Sequence, residues 1–320
     1  MTSGLRAFRL TAALCIVAAA SACGHGGSSS GMPPADRTVV PFTSFQALIP
    51  GQTVGMQGTS QTSSGAQAVI VGTTTVTSVD LPAANAGGIE LGFDESRTLR
   101  TIKLSSPQST VSFDRAAVGN SIVCGGGTCT ASSPTATATV MDPFAQGWNY
   151  QTFGVWNVLG NPSSWQVGAV IAGNQTPPGA LPPSGNATFT GFAHGFYVDV
   201  AGNRFSTAAN MTANVDWTVR TVGFSTANTT LTNVNTQASL ANAGLNLTGN
   251  LPFQGPLGST SFSGTVNTAN GDLTGTSTGF FFGPNGQEIG GTYRLTTPAR
   301  AAGANSTDLP SMVGAFGGKR

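Results

Sequence analysis

The chain carries little charge. Of its 320 residues, 8% are Asp, Glu, Lys or Arg, against about 25% in an ordinary globular protein, and the formal net charge is +1. Lysine occurs at two positions, Lys103 and Lys319. Proteins that bind nucleic acid draw much of their affinity from clustered basic side chains that displace counterions, and this sequence has no such cluster. We therefore do not expect nucleic acid as a partner.

Histidine is nearly as scarce, which limits the chemistry open to the chain. The two histidines are His25, in an N-terminal tether, and His194. A hydrolytic triad would have to use His194, and no carboxylate is placed to partner it. Residues 275–279 fit the Gly-x-Ser-x-Gly pattern, but they lie in an alternating strand and not in the strand-to-helix turn that a nucleophile elbow needs. We predict a protein that is not an enzyme.

Long hydrophobic runs are missing except at the start of the chain. The run from Leu10 to Ala22 follows Arg6 and Arg9, and it is too short to cross a bilayer comfortably. We interpret residues 1–22 as a signal peptide. Small residues directly precede Cys23, which resembles a bacterial lipobox. Cys23 is therefore predicted to be lipidated and to begin a flexible Gly/Ser/Pro tether over residues 23–40; the alternative is ordinary cleavage with Cys23 merely adjacent.

Cysteine is too rare for a framework of several disulfides, but the spacing of one pair is compatible with a single disulfide. Cys15 lies in the signal region, and Cys124 and Cys129 are separated by four residues, three of them glycine. A hairpin at this spacing could close into a disulfide in an oxidising compartment. The rival is a metal site, but no second cysteine or histidine cluster exists to complete it. We predict a disulfide that pins a loop.

What the chain has in abundance is glycine with Thr, Ser and Asn, together with 39% hydrophobic residues that include 18 Phe and 4 Trp. This apolar content is too large to leave unburied, and the composition favours strands over helices. Residues 211–220 alternate strictly, with Met, Ala, Val and Trp on one face. Asn270-Gly271 stands between two apolar runs, which is a strong hairpin signal. The fold class is therefore all-β.

The strand pattern changes character near residue 140. Residues 41–140 hold short alternating strands, and we predict a smaller β-rich handle domain there. From residue 141 to residue 320 about eight strands with local turns indicate an antiparallel up-and-down β-barrel. The candidate strands include Asn149 to Trp156 and Trp165 to Ile171. The barrel lacks the aromatic girdles of a membrane barrel, so we expect it to be tethered through Cys23 and not embedded in the membrane.

The closing residues resemble those of one family. Residues 279–293 contain Phe-Phe-Phe-Gly-Pro-Asn-Gly followed by Glu-Ile-Gly-Gly-Thr-Tyr, and residues 313–320 read Val-Gly-Ala-Phe-Gly-Gly-Lys-Arg. Residues 150–156 read Tyr-Gln-Thr-Phe-Gly-Val-Trp, and residues 185–191 read Gly-Asn-Ala-Thr-Phe-Thr-Gly. These motifs are similar to those of the transferrin-binding-protein-like solute-binding lipoproteins, over residues 142–320. One handle and one barrel fit, whereas the receptors that name the family carry two such lobes.

The resemblance implies a lipoprotein of the bacterial outer membrane, displayed at the cell surface, that captures an iron source or a partner protein. A host or environmental iron-carrier protein is the partner it implies. If capture is by protein contact, exposed aromatic side chains near Trp148 and Trp165 are natural anchors, and the alternative is that each tryptophan is a core residue. Two alternatives stay open. His194, among Phe192, Phe196 and Tyr197, could give haem an axial nitrogen, although a histidine bonded to backbone is the simpler reading. The chain could also be a structural envelope lipoprotein without a ligand. We expect no other cofactor and no metal.

Overall fold

The computed structural model describes residues 39–70, 72–80, 83–159, 161–253, 260–303 and 309–320. Most of these residues lie in strands, and two one-turn helices, α1 (Pro143–Gln146) and α2 (Pro298–Ala301), also occur among them. No helix in this part of the chain has the length and hydropathy needed to span a membrane. The predicted signal peptide and Cys23 lie outside the described residues, so both stay predictions.

The first sheet is built from the N-terminal half of the described chain. Its eleven strands there are β1 (Val39–Pro41), β2 (Thr53–Ile70), β3 (Thr73–Val76), β4 (Ala83–Phe93), β5 (Leu99–Ser105), β6 (Thr110–Asp114), β7 (Ser121–Gly125), β8 (Thr128–Ser132), β9 (Ala136–Met141), β10 (Gln151–Val158) and β11 (Ser164–Gly173). The order is β6-β5-β4-β2-β11-β10-β9-β8-β7, with β1 and β3 paired to β2. The edge strands β6 and β7 lie near each other, so the sheet almost closes around a core that includes Phe45, Leu91, Phe113 and Trp156.

The second sheet is a closed barrel. Its strands in the described residues are β12 (Asn186–Val198), β13 (Arg204–Asp216), β14 (Thr221–Asn233), β15 (Ser239–Ala241), β16 (Leu247–Pro252), β17 (Ser261–Thr268), β18 (Thr274–Phe282), β19 (Glu288–Thr296) and β20 (Ser311–Lys319). Eight of them pair antiparallel in chain order, and β20 pairs with β12 to close the ring. The short β15 adds to β14 alone. The predicted all-β fold with an eight-stranded up-and-down barrel is confirmed.

The interior of the barrel is filled by side chains. Alternation along β13 turns Met211, Ala213 and Val215 inward, as the sequence predicted, and Trp217 follows them into the same core. Trp217 packs against Phe281 with ring centroids 4.9 Å apart. The barrel is therefore a packed core, and its ligand-binding surfaces have to be sought outside it.

Two strands lie in a different sheet from the one predicted. The sequence assigned the segments now seen as β10 and β11 to the barrel, but β10 pairs with β9 and β11 pairs with β2, both in the first sheet. The barrel therefore begins at β12 and not near residue 141. The strand pattern is the same in either sheet, because an alternating segment does not reveal which neighbour it pairs with. With these strands, the first sheet has more strands than the barrel.

The two sheets pack face to face. Strands β10 and β11 lie against β12, β19 and β20. Apolar side chains fill this junction in two clusters, whose buried members are Met141, Trp148, Phe153, Val155, Ala169, Ile171, Phe282 and Ala315 in one, and Val76, Val79, Trp165, Val167, Val198 and Val313 in the other. We call this contact the inter-sheet junction. It holds the side chains singled out below.

Candidate functional site

His194 lies at the inter-sheet junction. Alternation along β12 turns Phe189 and Ala193 into the barrel core, so His194 faces outward with Phe192 and Phe196. The first sheet covers this outward face, and the imidazole lies 6.0 Å from the ring of Phe153 on β10. The sequence predicted which residues share its face, but not that a second sheet covers it.

The imidazole of His194 is neutral at physiological pH. Burial lowers the pKa of His194 from 6.5 to about 4, because the charged form loses its hydration. No hydrogen bond from the described residues reaches the ring, and Tyr293 donates to the backbone carbonyl of His194 at 3.4 Å. His194 is therefore a partly buried strand histidine, as the alternative to haem binding expected, but its ring is not bonded to the backbone of the described residues.

A cavity of about 490 Å³ opens beside His194. Its walls come from β8, β9 and β10 of the first sheet and from β12, β13 and β14 of the barrel. Most of its polar lining consists of hydroxyl groups, which belong to Thr128, Thr130, Thr137, Thr139, Ser206, Thr207 and Thr232. No charged side chain lines it. The cavity therefore offers hydrogen bonds without net charge.

Asn157 supplies the most deeply buried polar group of this cavity. It is 2% exposed, and its side-chain oxygen has no hydrogen-bond partner among the described residues. It lies on the same face of β10 as Val155, which also lines the cavity. A buried amide oxygen without a donor costs free energy, so a water or a ligand donor would be accommodated here.

The family-like motifs meet at the inter-sheet junction. Glu288, from the Glu-Ile-Gly-Gly motif, is 3% exposed and accepts three backbone N–H groups of the segment leading into β10. The donors are Asn149 at 2.5 Å, Tyr150 at 2.9 Å and Gln151 at 3.1 Å. Lys319, opposite Glu288 on β20, donates to the carbonyl of Gly147 at 3.2 Å. The sequence did not assign a role to Glu288, which fastens the first sheet to the barrel.

Burial and hydrogen bonding act in opposite directions on the Glu288 carboxyl. Burial raises its pKa, the three backbone donors and Lys319 lower it, and the result is a pKa of about 7 instead of 4.5. Glu288 therefore changes charge near neutral pH, at the contact that joins the two sheets.

The glycines of the same motifs allow the sheets to come close. A Cβ on Gly290 would lie 2.6 Å from Cδ1 of Ile171 on β11, and one on Gly317 would lie 2.7 Å from the amide of Gln151. A side chain at either position would push the barrel away from the first sheet. The motifs that indicated the family are thus the parts that join the two sheets.

The predicted disulfide is present. Cys124 and Cys129 lie opposite each other on β7 and β8 and are bonded. The carboxylate of Asp142 lies nearby, but it accepts from the backbone of Phe144 and Ala145 at the start of α1. Because bonded cysteines are not thiolates, this group serves the fold and not metal binding.

The two tryptophans considered as contact residues are in the wrong place for that role. Trp148 and Trp165 are each 2% exposed, and both pack within the inter-sheet junction. The exposed large apolar side chains of the described chain are all aliphatic: Val39, Ile49, Val69, Val118, Val123, Val200, Val219 and Leu240. A protein partner would therefore meet aliphatic and polar groups here.

Comparison with known proteins identifies the barrel. Residues 181–320 match a family model described as the C-lobe and N-lobe beta barrels of Tf-binding protein B. The match begins just before β12 and covers every barrel strand, which agrees with the barrel boundary seen in the structure. No curated protein matches the chain.

Solved structures give matches of low identity. A mutant of transferrin binding protein B from Haemophilus parasuis Hp5 is 11% identical, with 85% of this chain and 77% of that chain covered and a TM-score of 0.43. Isotype 1 transferrin binding protein B from Neisseria meningitidis is 15% identical, with 78% and 58% covered and a TM-score of 0.41. The N-lobe domain of lactoferrin binding protein B of Moraxella bovis is 10% identical, with 82% and 98% covered and a TM-score of 0.39.

The fold and the family match define a class of protein, an all-β protein whose C-terminal barrel is similar to the barrels of Tf-binding protein B. Residues 181–320 match the model of the Tf-binding protein B barrels, which confirms the resemblance seen in the sequence.

Proposed function

We propose that this chain is a non-enzymatic binding protein that is anchored in the bacterial outer membrane by lipid on Cys23 and captures an iron-carrier protein at the cell surface. The observation that carries the proposal is the match of residues 181–320 to the barrels of Tf-binding protein B. The name of that family supplies the class of partner. Cys23, preceded by the apolar run and small residues, supplies the anchor.

The packing of the barrel supports a protein partner over a small ligand held inside. Its described interior is occupied by side chains such as Phe224, Phe281 and Tyr293. Contacts with a partner would therefore use the outer faces and the turns at the barrel ends. Each end presents an exposed valine: Val200 in the turn after β12 and Val219 in the turn after β13.

Haem is the second candidate, and one observation favours it. The neutral imidazole of His194 lines a cavity of about 490 Å³, and a neutral imidazole is the form that binds a metal. The hydroxyl lining and the buried oxygen of Asn157 suit a polar ligand better than the apolar faces of a porphyrin. If haem does bind here, titration with haemin gives a visible-absorption change that His194→Ala removes.

The partner is tested with purified protein lacking residues 1–23. Immobilised protein is exposed to transferrin and lactoferrin in iron-loaded and iron-free form, and binding is measured by surface plasmon resonance. We expect saturable binding to at least one carrier. Val200→Asp and Val219→Asp alter opposite ends of β13, so loss of affinity in one variant alone would locate the contact, with the other as its control. Absence of binding to every carrier would remove iron-carrier capture and leave the structural envelope reading.

A further inference from the structure

Arg204 is a buried cation without a counter-charge among the described residues. It is the first residue of β13 and is 8% exposed. Its Nε atom is buried without a hydrogen-bond partner among the described residues. Burial lowers the pKa of Arg204, and no carboxylate acts on it. Arginine stays protonated in proteins, so Arg204 carries a full positive charge that no carboxylate in the described part of the chain neutralises.

The nearest acidic residue along the chain is engaged elsewhere. Asp199, in the turn before β13, accepts from the backbone of Ala201 at 2.9 Å and of Asn203 at 2.8 Å. Its second oxygen accepts from the amide of Asn203, also at 2.8 Å. The Asp199 carboxylate therefore holds its own turn and does not neutralise Arg204.

Arg204 lines a cavity of about 400 Å³ at the edge of the inter-sheet junction. The first sheet contributes Gln67 and Thr74 to this cavity, and the barrel contributes Asn235 beside Arg204. No acidic side chain lines it. This volume lies within the range of about 300–1,000 Å³ that is typical of small-molecule sites.

Hydrogen bonds between the two sheets fix the walls of this cavity. The amide of Asn235 donates to the carbonyl of Thr74 at 3.0 Å, and the backbone N–H of Val76 donates to the carbonyl of Gly202 at 2.9 Å. Gln67 donates to the carbonyl of Asn161 at 2.7 Å. These bonds hold Arg204 opposite the first sheet, so the site is formed before any ligand arrives.

We propose that this cavity binds a small organic anion whose carboxylate or phosphate group pairs with the guanidinium of Arg204. The planar guanidinium presents N–H donors in a fork that matches the oxygens of either group. The paired anion would neutralise the buried charge and satisfy the orphaned Nε. This goes beyond capture of a protein partner, because the site holds a small molecule where the sheets meet and does not depend on the identity of the carrier.

The test is a thermal-unfolding titration of the soluble protein with inorganic phosphate and with citrate, each compared with sodium chloride at equal ionic strength. Binding to the folded state raises the melting temperature, and we expect a saturable rise of about 2–4 °C with at least one of the two anions. A larger effect of phosphate than of citrate would assign the phosphate class, and the reverse would assign the carboxylate class.

Arg204→Met keeps an apolar stem and removes the charge, so it should abolish the rise. Without added anion it should melt at the same temperature as the parent protein or higher, because an uncompensated buried charge is gone. Arg115→Met removes an exposed arginine and serves as the matched control that keeps the rise. As a second measurement, where phosphate gives the larger rise, its phosphorus resonance should broaden with the parent protein and stay sharp with Arg204→Met.

Two results would overturn the proposal. One is a melting temperature that responds to phosphate and citrate no more than to chloride. The other is an equal rise in the parent protein and in Arg204→Met, which would place the anion elsewhere on the surface.

Discussion

At the residue scale, Glu288 shows how a motif residue gains its role from the folded structure. Its carboxylate satisfies three backbone N–H groups that lead into β10. Without the Glu288 carboxylate, these buried N–H groups would lose their hydrogen-bond acceptor. Each buried polar group left unsatisfied costs about 1–3 kcal/mol of stability. The first sheet and the barrel are therefore joined by one acidic side chain as well as by apolar packing.

The pKa of Glu288 predicts a pH dependence of stability. The folded protein holds the Glu288 proton with a pKa of about 7, above the ordinary 4.5, so it binds that proton more tightly than the unfolded chain does. The resulting stabilisation is complete below about pH 4.5 and is lost as the pH rises through 7. We expect the parent protein to lose stability relative to Glu288→Gln between pH 5 and pH 8 in denaturant unfolding.

The control for this experiment is Glu288→Ala, which removes the acceptor at every pH. It should be less stable than the parent protein at pH 6 by about 1–3 kcal/mol, since backbone donors lose their partner. Parallel stability curves for the parent protein and Glu288→Gln from pH 5 to pH 8 would show that Glu288 does not titrate in this range.

The sequence predicted the structural surroundings of some single residues and not of others. The bond between Cys124 and Cys129 could be predicted because both ends of a five-residue separation lie in one hairpin. His194 could be assigned a face by alternation, but the sheet that covers this face is distant in the chain. Arg204 carried no signal at all, because a buried arginine and an exposed one look the same in sequence.

At the element scale, the strand β19 packs against the first sheet without room for a side chain at Gly290. Replacing Gly290 by alanine would place a methyl group 2.6 Å from Cδ1 of Ile171 and 3.0 Å from the carbonyl oxygen of Phe316. We expect Gly290→Ala to lower the free energy of unfolding by about 1–3 kcal/mol, as overpacking does. Gly223→Ala, whose Cβ would meet Asn214 at an ordinary 3.6 Å, is the matched control in another barrel strand.

A second substitution can show that Gly290 acts through the first sheet. Ile171→Val removes the nearest clashing atom, so Gly290→Ala should cost less in that background than alone. Chemical denaturation of the four proteins in this cycle gives the coupling. If the two substitutions change the free energy of unfolding additively, the alanine at position 290 does not clash with Ile171 on β11.

Strands with local partners could be predicted, and strands with distant partners could not. The hairpin of β17 and β18 was indicated by Asn270-Gly271, and Gly271 has the positive φ of 74° that such a turn requires. Strands β10 and β11 alternate just as well as barrel strands do, but β11 pairs with β2 about a hundred residues earlier in the chain. The pattern gave no information about that partner.

At the scale of the whole molecule, alternation and local turns were enough to predict an up-and-down barrel, although two of the strands assigned to it lie in the first sheet. The closing motifs were enough to indicate its family. The inter-sheet junction could not be predicted, because the strand pattern does not indicate which part of the outer barrel surface the first sheet covers. In the structure, strands β12, β19 and β20 form that part. The motif residues lie at that junction, so they identify the class of lobe without identifying the ligand.

The central claim is that this lobe is displayed outside the cell, and protease shaving of intact cells tests it most directly. An epitope tag at Gly271 would lie in an exposed turn with nothing within 4 Å of an added Cβ. We predict loss of the tag while a periplasmic control protein survives, and release of the tagged protein from the cells when Cys23→Ala removes the anchor. Protection of the tag until the outer membrane is broken would contradict surface capture.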